Sequence, residues 1–87
     1  MSTINYIAAR SGIFADGKGT PCYQISKLRS GGSYSFIGTA SRLAEDAADV
    51  AKLNAAGHGG EDGKAPCNAP VTLEVCNAKI ALLEGGS

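Results

Sequence analysis

The residues best equipped for chemistry are one histidine, three cysteines and a Gly–Lys loop. The run Gly12-Ile13-Phe14-Ala15-Asp16-Gly17-Lys18-Gly19 matches the first seven positions of the phosphate-binding loop G-x-x-x-x-G-K-[S/T]. It departs at the eighth, where Gly19 replaces the hydroxyl that would hold magnesium. Thr20-Pro21 follows it, not the helix whose N-terminal amides would cradle phosphate. A glycine-rich hairpin loop accounts for the same residues. His58, Cys22, Cys67 and Cys76 supply the right ligand types for zinc, but no C-x₂-C or H-x₃-H pair exists among them. A Cys–His nucleophilic pair would need His58 held in place by an orienting group such as Glu61 or Asp62. Nothing in the spacing supplies that, so we expect no cofactor, no metal and no enzymatic activity. A small-molecule binder or thiol-dependent enzyme, with the loop at 57–70 as a lid and Cys67 or His58 as the reactive group, is kept as an alternative.

Charge offers the other candidate chemistry. The net charge is zero, with eight basic and eight acidic residues. A general polyanion binder is usually strongly basic. The balance is uneven along the chain: Arg10, Lys18, Lys27 and Arg29 face only Asp16 in residues 1–40, whereas acidic groups dominate from residue 41 onward. Lys18, Lys27 and Arg29, with Tyr23 and Tyr34 nearby, form a basic hairpin end able to hold single-stranded nucleic acid weakly. Glu45, Asp46 and Asp49 form an acidic run, read either as a solvated helix face or as a contact for a basic partner. Arg42 with Asp46 and Asp49 with Lys52 are spaced for local pairing on a helix. Lys27, Arg29, Glu45, Asp46 and Asp49 are the expected partner-contact residues.

These side chains must be positioned by a few short elements. Residues 4–9 read as a strand, and Asp16-Gly17-Lys18-Gly19 as a turn. Residues 20–28 read as a second strand, with Pro21 at its start or at a sheet edge. After a turn at Arg29-Ser30-Gly31-Gly32, Tyr34 and Phe36 share one face of a third strand. A helix is expected over about 41–56, capped by Thr39 or Ser41 and ended by Gly57. Its packing stripe is Leu43, Ala44, Ala47, Val50 and Ala51, with Arg42, Glu45, Asp46, Asp49 and Lys52 opposite. Val71, Leu73 and Val75 alternate as a strand. Ile80 and Leu82, out of phase with them, read as a last short strand after a bulge or tight turn at Asn77-Ala78. The expected fold is α+β, a three- to five-stranded antiparallel sheet with one helix on one face, in the order ββ(β)αβ(β). Its core is drawn from Tyr6 or Ile7, Ile25, Phe36, Leu43, Val50, Leu73, Val75, Ile80 and Leu82.

With 87 residues the chain is one domain, residues 1–87. Residues 57–70 read as a flexible Gly/Pro-rich loop, and 85–87 as a frayed tail. Twelve glycines and fourteen alanines, with no tryptophan, leave a core of few large side chains. No run approaches the 18 apolar residues of a membrane span, and no basic segment precedes an apolar one near Met1. An odd cysteine count argues for reduced thiols, although a Cys67–Cys76 bridge stays open. The expected setting is the cytoplasm.

In size and element order the chain resembles the small phage-encoded anti-defence proteins, including the anti-CRISPR inhibitors. That group shares no residue motif, so the likeness transfers no site residue. It implies a non-enzymatic inhibitor that binds a larger protein or a protein–nucleic acid complex, with no membrane. Direct nucleic-acid binding is the alternative, and self-association through an edge strand is left open.

Overall fold

In the computed structural model, residues 4–58 and 67–85 are described. Three strands form one antiparallel sheet in the order β1 (Tyr6–Ile13), β2 (Pro21–Leu28) and β3 (Tyr34–Phe36). Two helices, α1 (Ala47–Ala55) and α2 (Leu73–Gly85), follow. The α+β class and the antiparallel sheet are as expected. The turns also form where the glycines place them. Gly17 (φ 74°) and Gly19 (φ 73°) take left-handed backbone, and the Asp16 carboxylate accepts the Lys18 amide at 2.9 Å. The segment resembling a phosphate loop is therefore a hairpin turn running straight into β2.

The C-terminal region corrects the expectation. Residues expected as two strands form α2, and only Val71 pairs with the sheet, in an isolated bridge to Tyr23. Cys76, Lys79, Ile80 and Leu83 are its buried residues, a spacing of three, four and seven that marks one helical face. The apparent phase break at Asn77-Ala78 was thus helical periodicity. Thr72 starts the helix by accepting the Val75 amide through its hydroxyl at 3.3 Å, as an N-cap does. Gly85 closes α2, and the remaining tail positions 86–87 lie outside the described residues.

The first helix is shorter and rotated relative to its expectation. Residues 40–46 are turns, and helix proper begins at Ala47. Gly57 ends it with φ 87°, as anticipated. The buried side chains are Asp49, Val50 and Leu53, while Leu43, Ala44, Ala47 and Ala51 are exposed.

The core comprises Ile25, Ile37, Val50, Leu53, Cys67, Cys76, Ile80 and Leu83, with Tyr6, Ala8, Tyr23 and Val71 packed against it. Tyr6 rather than Ile7 faces inward. Leu43, Leu73 and Val75 are exposed, Leu82 is half-buried beside the buried Leu83, and Phe36 lies outside the cluster. Of the expected loop, residues 59–66 lie outside the described residues, but Cys67 and Asn68 are buried at its end.

Asn68 explains why that end is fixed. Its side chain accepts the Ile25 amide at 2.7 Å and donates to the carbonyls of Ile25 (3.0 Å) and Ile37 (3.2 Å). One side-chain amide thus stands in for a strand beside β2, between β3 and the Val71 bridge. Buried backbone groups need such partners. Replacing Asn68 with Ala should cost about 3 kcal/mol, because the buried Ile25 amide loses its acceptor and the Ile37 carbonyl its Asn68 donor, while the Ile25 carbonyl keeps only the Ile37 amide. Urea unfolding checks this, and a loss below about 1 kcal/mol would contradict it.

Candidate binding surface

Odd-numbered residues of β2 face the helices. From this row Lys27 reaches Asp49 on α1, with Nζ 3.0 Å from Oδ2. Tyr6, opposite Lys27 in the register, donates its hydroxyl to the other Asp49 oxygen at 2.9 Å. The Lys27 ammonium also lies 5.9 Å from the Tyr6 ring centroid. Arg29, just past β2, is 6% exposed, and Asp46 is fully buried. Their pairing is bidentate, Nη1 to Oδ1 at 2.7 Å and Nη2 to Oδ2 at 3.1 Å. The remaining guanidinium donors reach the Ser35 hydroxyl and the carbonyls of Ser35 and Phe36. The Gly38 amide donates to Asp46 at 3.1 Å.

The five expected contact residues are therefore brought together, but chiefly to hold one another. Asp46 and Asp49 do not lie on the solvent side of the helix, as the sequence phase implied. The expected Arg42–Asp46 and Asp49–Lys52 pairs are replaced. Arg42 pairs with Glu45 at 3.0 Å, and Lys52 donates to the Leu83 carbonyl at 3.3 Å. Glu45 alone of the acidic three is exposed, 3.6 Å from Arg29.

The titration of these groups follows from the geometry. Burial raises the Asp46 carboxyl, but the Arg29 hydrogen bonds, the Gly38 amide and the charges of Arg29 and Lys27 outweigh it and hold it below its ordinary value. The Asp46 hydrogen bond holds Arg29 above its ordinary value against the opposing effect of burial. Burial, then the hydrogen bond to Asp49 and the neighbouring carboxylates, push Tyr6 up to about 12.

The thiols lie in two places. Cys67 and Cys76 belong to the core, whereas Cys22 lies outside it with its sulfur 3.5 Å from the Ser11 hydroxyl. All three are free and buried. Lys79 is buried beside the core pair and donates to the Cys67 carbonyl at 3.0 Å. Burial raises both thiols more than the Lys79 charge lowers them, and burial lowers Lys79 itself. Such thiols carry little thiolate, the nucleophilic form. Among the described residues no three His, Cys, Asp or Glu side chains gather as a metal site. His58 donates its backbone amide to Leu53, and its candidate orienting residues Glu61 and Asp62 lie outside the described residues.

The other sheet face is different in kind. The register sets Ile7 opposite Ser26, Ser26 opposite Phe36, and Leu28 opposite Tyr34. These residues point away from the helices. Ile7 is 36% and Tyr34 38% exposed, and Leu28 and Phe36 are partly exposed. Tyr34 is held in place by donating to the Ile4 carbonyl at 2.6 Å. This apolar and aromatic face is the surface that charge-based reasoning missed. Its signal was present in Tyr34 and Phe36 sharing a side with Ile7 and Leu28.

Together, fold and surface define a small α+β protein with helices on one sheet face and an apolar, aromatic second face. Comparison with protein-family models, characterised proteins and solved structures finds no match. Among the described residues no helix is long and apolar enough to cross a membrane.

Two outcomes follow from the ion network. Arg29→Met and Asp46→Ala should each destabilise by about 3–5 kcal/mol, since each strands a buried charge. Replacing both with apolar residues should cost clearly less than the sum, and additive losses in denaturant unfolding would contradict the pairing. Because Tyr6 ionises less readily folded than unfolded, its contribution is complete below pH 10 and is lost as pH rises toward about 12. Alkaline unfolding curves of wild type and Tyr6→Phe should therefore converge over that window. A constant gap between them would argue against the Tyr6–Asp49 bond.

Proposed function

We propose that this protein is a non-enzymatic interaction module that binds a larger protein through the sheet face carrying Ile7, Leu28, Tyr34 and Phe36. The observation that carries the reading is this surface: two aromatic rings and two aliphatic side chains on the side of a sheet away from both helices. Apolar patches of this kind on small proteins commonly serve as interaction sites, and aromatic residues are enriched at interface centres. In its finer form the proposal is an inhibitor acting in the cytoplasm on a larger protein or nuclease complex. That is the role implied by the likeness in size to anti-CRISPR proteins, although the second helix departs from the expected element order. Three free thiols agree with a reducing compartment.

Direct nucleic-acid binding is the weaker reading. Lys27 and Arg29, on which it relied, are paired with Asp49 and Asp46, leaving Lys18 and Arg10 as the exposed cations of this half. A thiol-dependent enzyme is disfavoured by thiols that burial keeps protonated.

Affinity capture with the tagged protein tests the proposal. A near-stoichiometric protein should co-elute with wild type and with Lys18→Ala. Its recovery should fall about tenfold with Tyr34→Ser or Ile7→Ser, an effect of about 1.4 kcal/mol. Recovery that depends on nuclease-sensitive material, or that ignores both face substitutions, would overturn it.

A further inference from the structure

The two edges of the sheet are finished differently. On the β3 side every exposed stretch of β2 has a partner. β3 pairs with Ser26 to Leu28, Asn68 takes the amide and carbonyl of Ile25, and Val71 exchanges two hydrogen bonds with Tyr23. Those bonds also fix the phase of the β1–β2 ladder. In antiparallel pairs, residues that do not bond each other turn both backbone groups outward. Ile25 and Tyr23 turn theirs away from β1, so their opposites Ala8 and Arg10 turn theirs away from β2. By the same alternation so does Tyr6, opposite Lys27. The Leu28 amide bonding to the Asn5 carbonyl agrees with this phase. Among the described residues nothing bonds the outward amides and carbonyls of Tyr6, Ala8 and Arg10.

Such an edge is a template for another strand unless charge, proline or a bulge blunts it. Here the only charge on β1 is Arg10, and no proline interrupts it. A register shift between Arg10 and Gly12, with Gly12 at φ 147°, ends the regular run at Arg10. We infer that β1 pairs antiparallel with β1 of a second copy of this chain, about a two-fold axis at Ala8. That register makes the edge self-complementary. Ala8 meets Ala8 of the second copy, and large Ile7 meets small Ala9 on the apolar face. Arg10 meets Tyr6, whose hydroxyl is bonded to Asp49 and which also feels Glu84. The lone cation of the strand thus arrives at an aromatic ring beside which Asp49 and Glu84 outnumber the Lys27 ammonium, whereas any register shift would remove that match. The product is one six-stranded sheet whose apolar faces are continuous.

The inference concerns the edge and stands independently of the partner proposed for the face. Sedimentation equilibrium over about a hundredfold range of concentration tests it, because dimer population follows mass action. Wild type should shift from 8.8 kDa to twice that mass. Ala8→Pro deletes an amide that the monomer does not use and should remain monomeric and folded throughout. Arg10→Glu should weaken the dimer about tenfold. On the unmodified protein, exchange of the Tyr6, Ala8 and Arg10 amides should slow as concentration rises. A wild type that stays monomeric, a dimer that Ala8→Pro leaves intact, or amide exchange independent of concentration would each overturn the inference.

Discussion

The buried pair of Arg29 and Asp46 is the constraint around which the molecule is arranged. An arginine and an aspartate with almost no solvent contact tolerate burial only when nearly every donor and acceptor is matched. Here the guanidinium is saturated by two carboxylate oxygens, a serine hydroxyl and two carbonyls, and the carboxylate also takes the Gly38 amide. That set ties the β2–β3 turn, the end of β3 and the entry to α1 to a single point. It also rotates α1. With Asp46 inward, Asp49 and Val50 must follow one turn later and Leu53 two turns later, and the alanines of the expected stripe are left in solvent.

The same economy of elements appears at Asn68. β2 is the central strand, but β3 is only three residues long and pairs with Ser26 to Leu28, so the rest of that edge needs other partners. Between β3 and the Val71 bridge, the Asn68 side chain takes the Ile25 amide and shares the Ile25 carbonyl with the Ile37 amide. The core behind it uses four aliphatic side chains from the helices and two from the sheet region, filled out by Cys67 and Cys76. Cysteines act there as small hydrophobes rather than as reactive groups.

Local signals predicted the local structure well. The Asp16-Gly17 turn, the glycine turn before β3 and the Gly57 helix end all follow from backbone preferences that neighbouring residues decide. The C-terminal helix was hidden because Val71, Leu73 and Val75 alternate by coincidence. Its true signal, Cys76 through Leu83, includes a buried lysine that no apolar count would include. In the sequence Lys27 and Arg29 read as one charged end and Glu45, Asp46 and Asp49 as another, and the fold brings the two ends together. What sequence could not convey is that Arg29, seventeen residues before Asp46, points into the protein to meet it. Helical periodicity alone puts aspartates outside, and only the tertiary partner reverses that.

With the charges turned inward, the surface proposed for recognition is the apolar face, and Lys27, Arg29, Asp46 and Asp49 brace the sheet from behind it. The most direct check is solvent accessibility measured residue by residue, by the relaxation that a soluble, uncharged paramagnetic chelate induces in the folded protein. Strong relaxation is expected at the Ile7 methyls and the Tyr34 ring, with the Arg29 Nε proton protected. A shielded Ile7 and Tyr34 beside a freely relaxed Arg29 would contradict this arrangement.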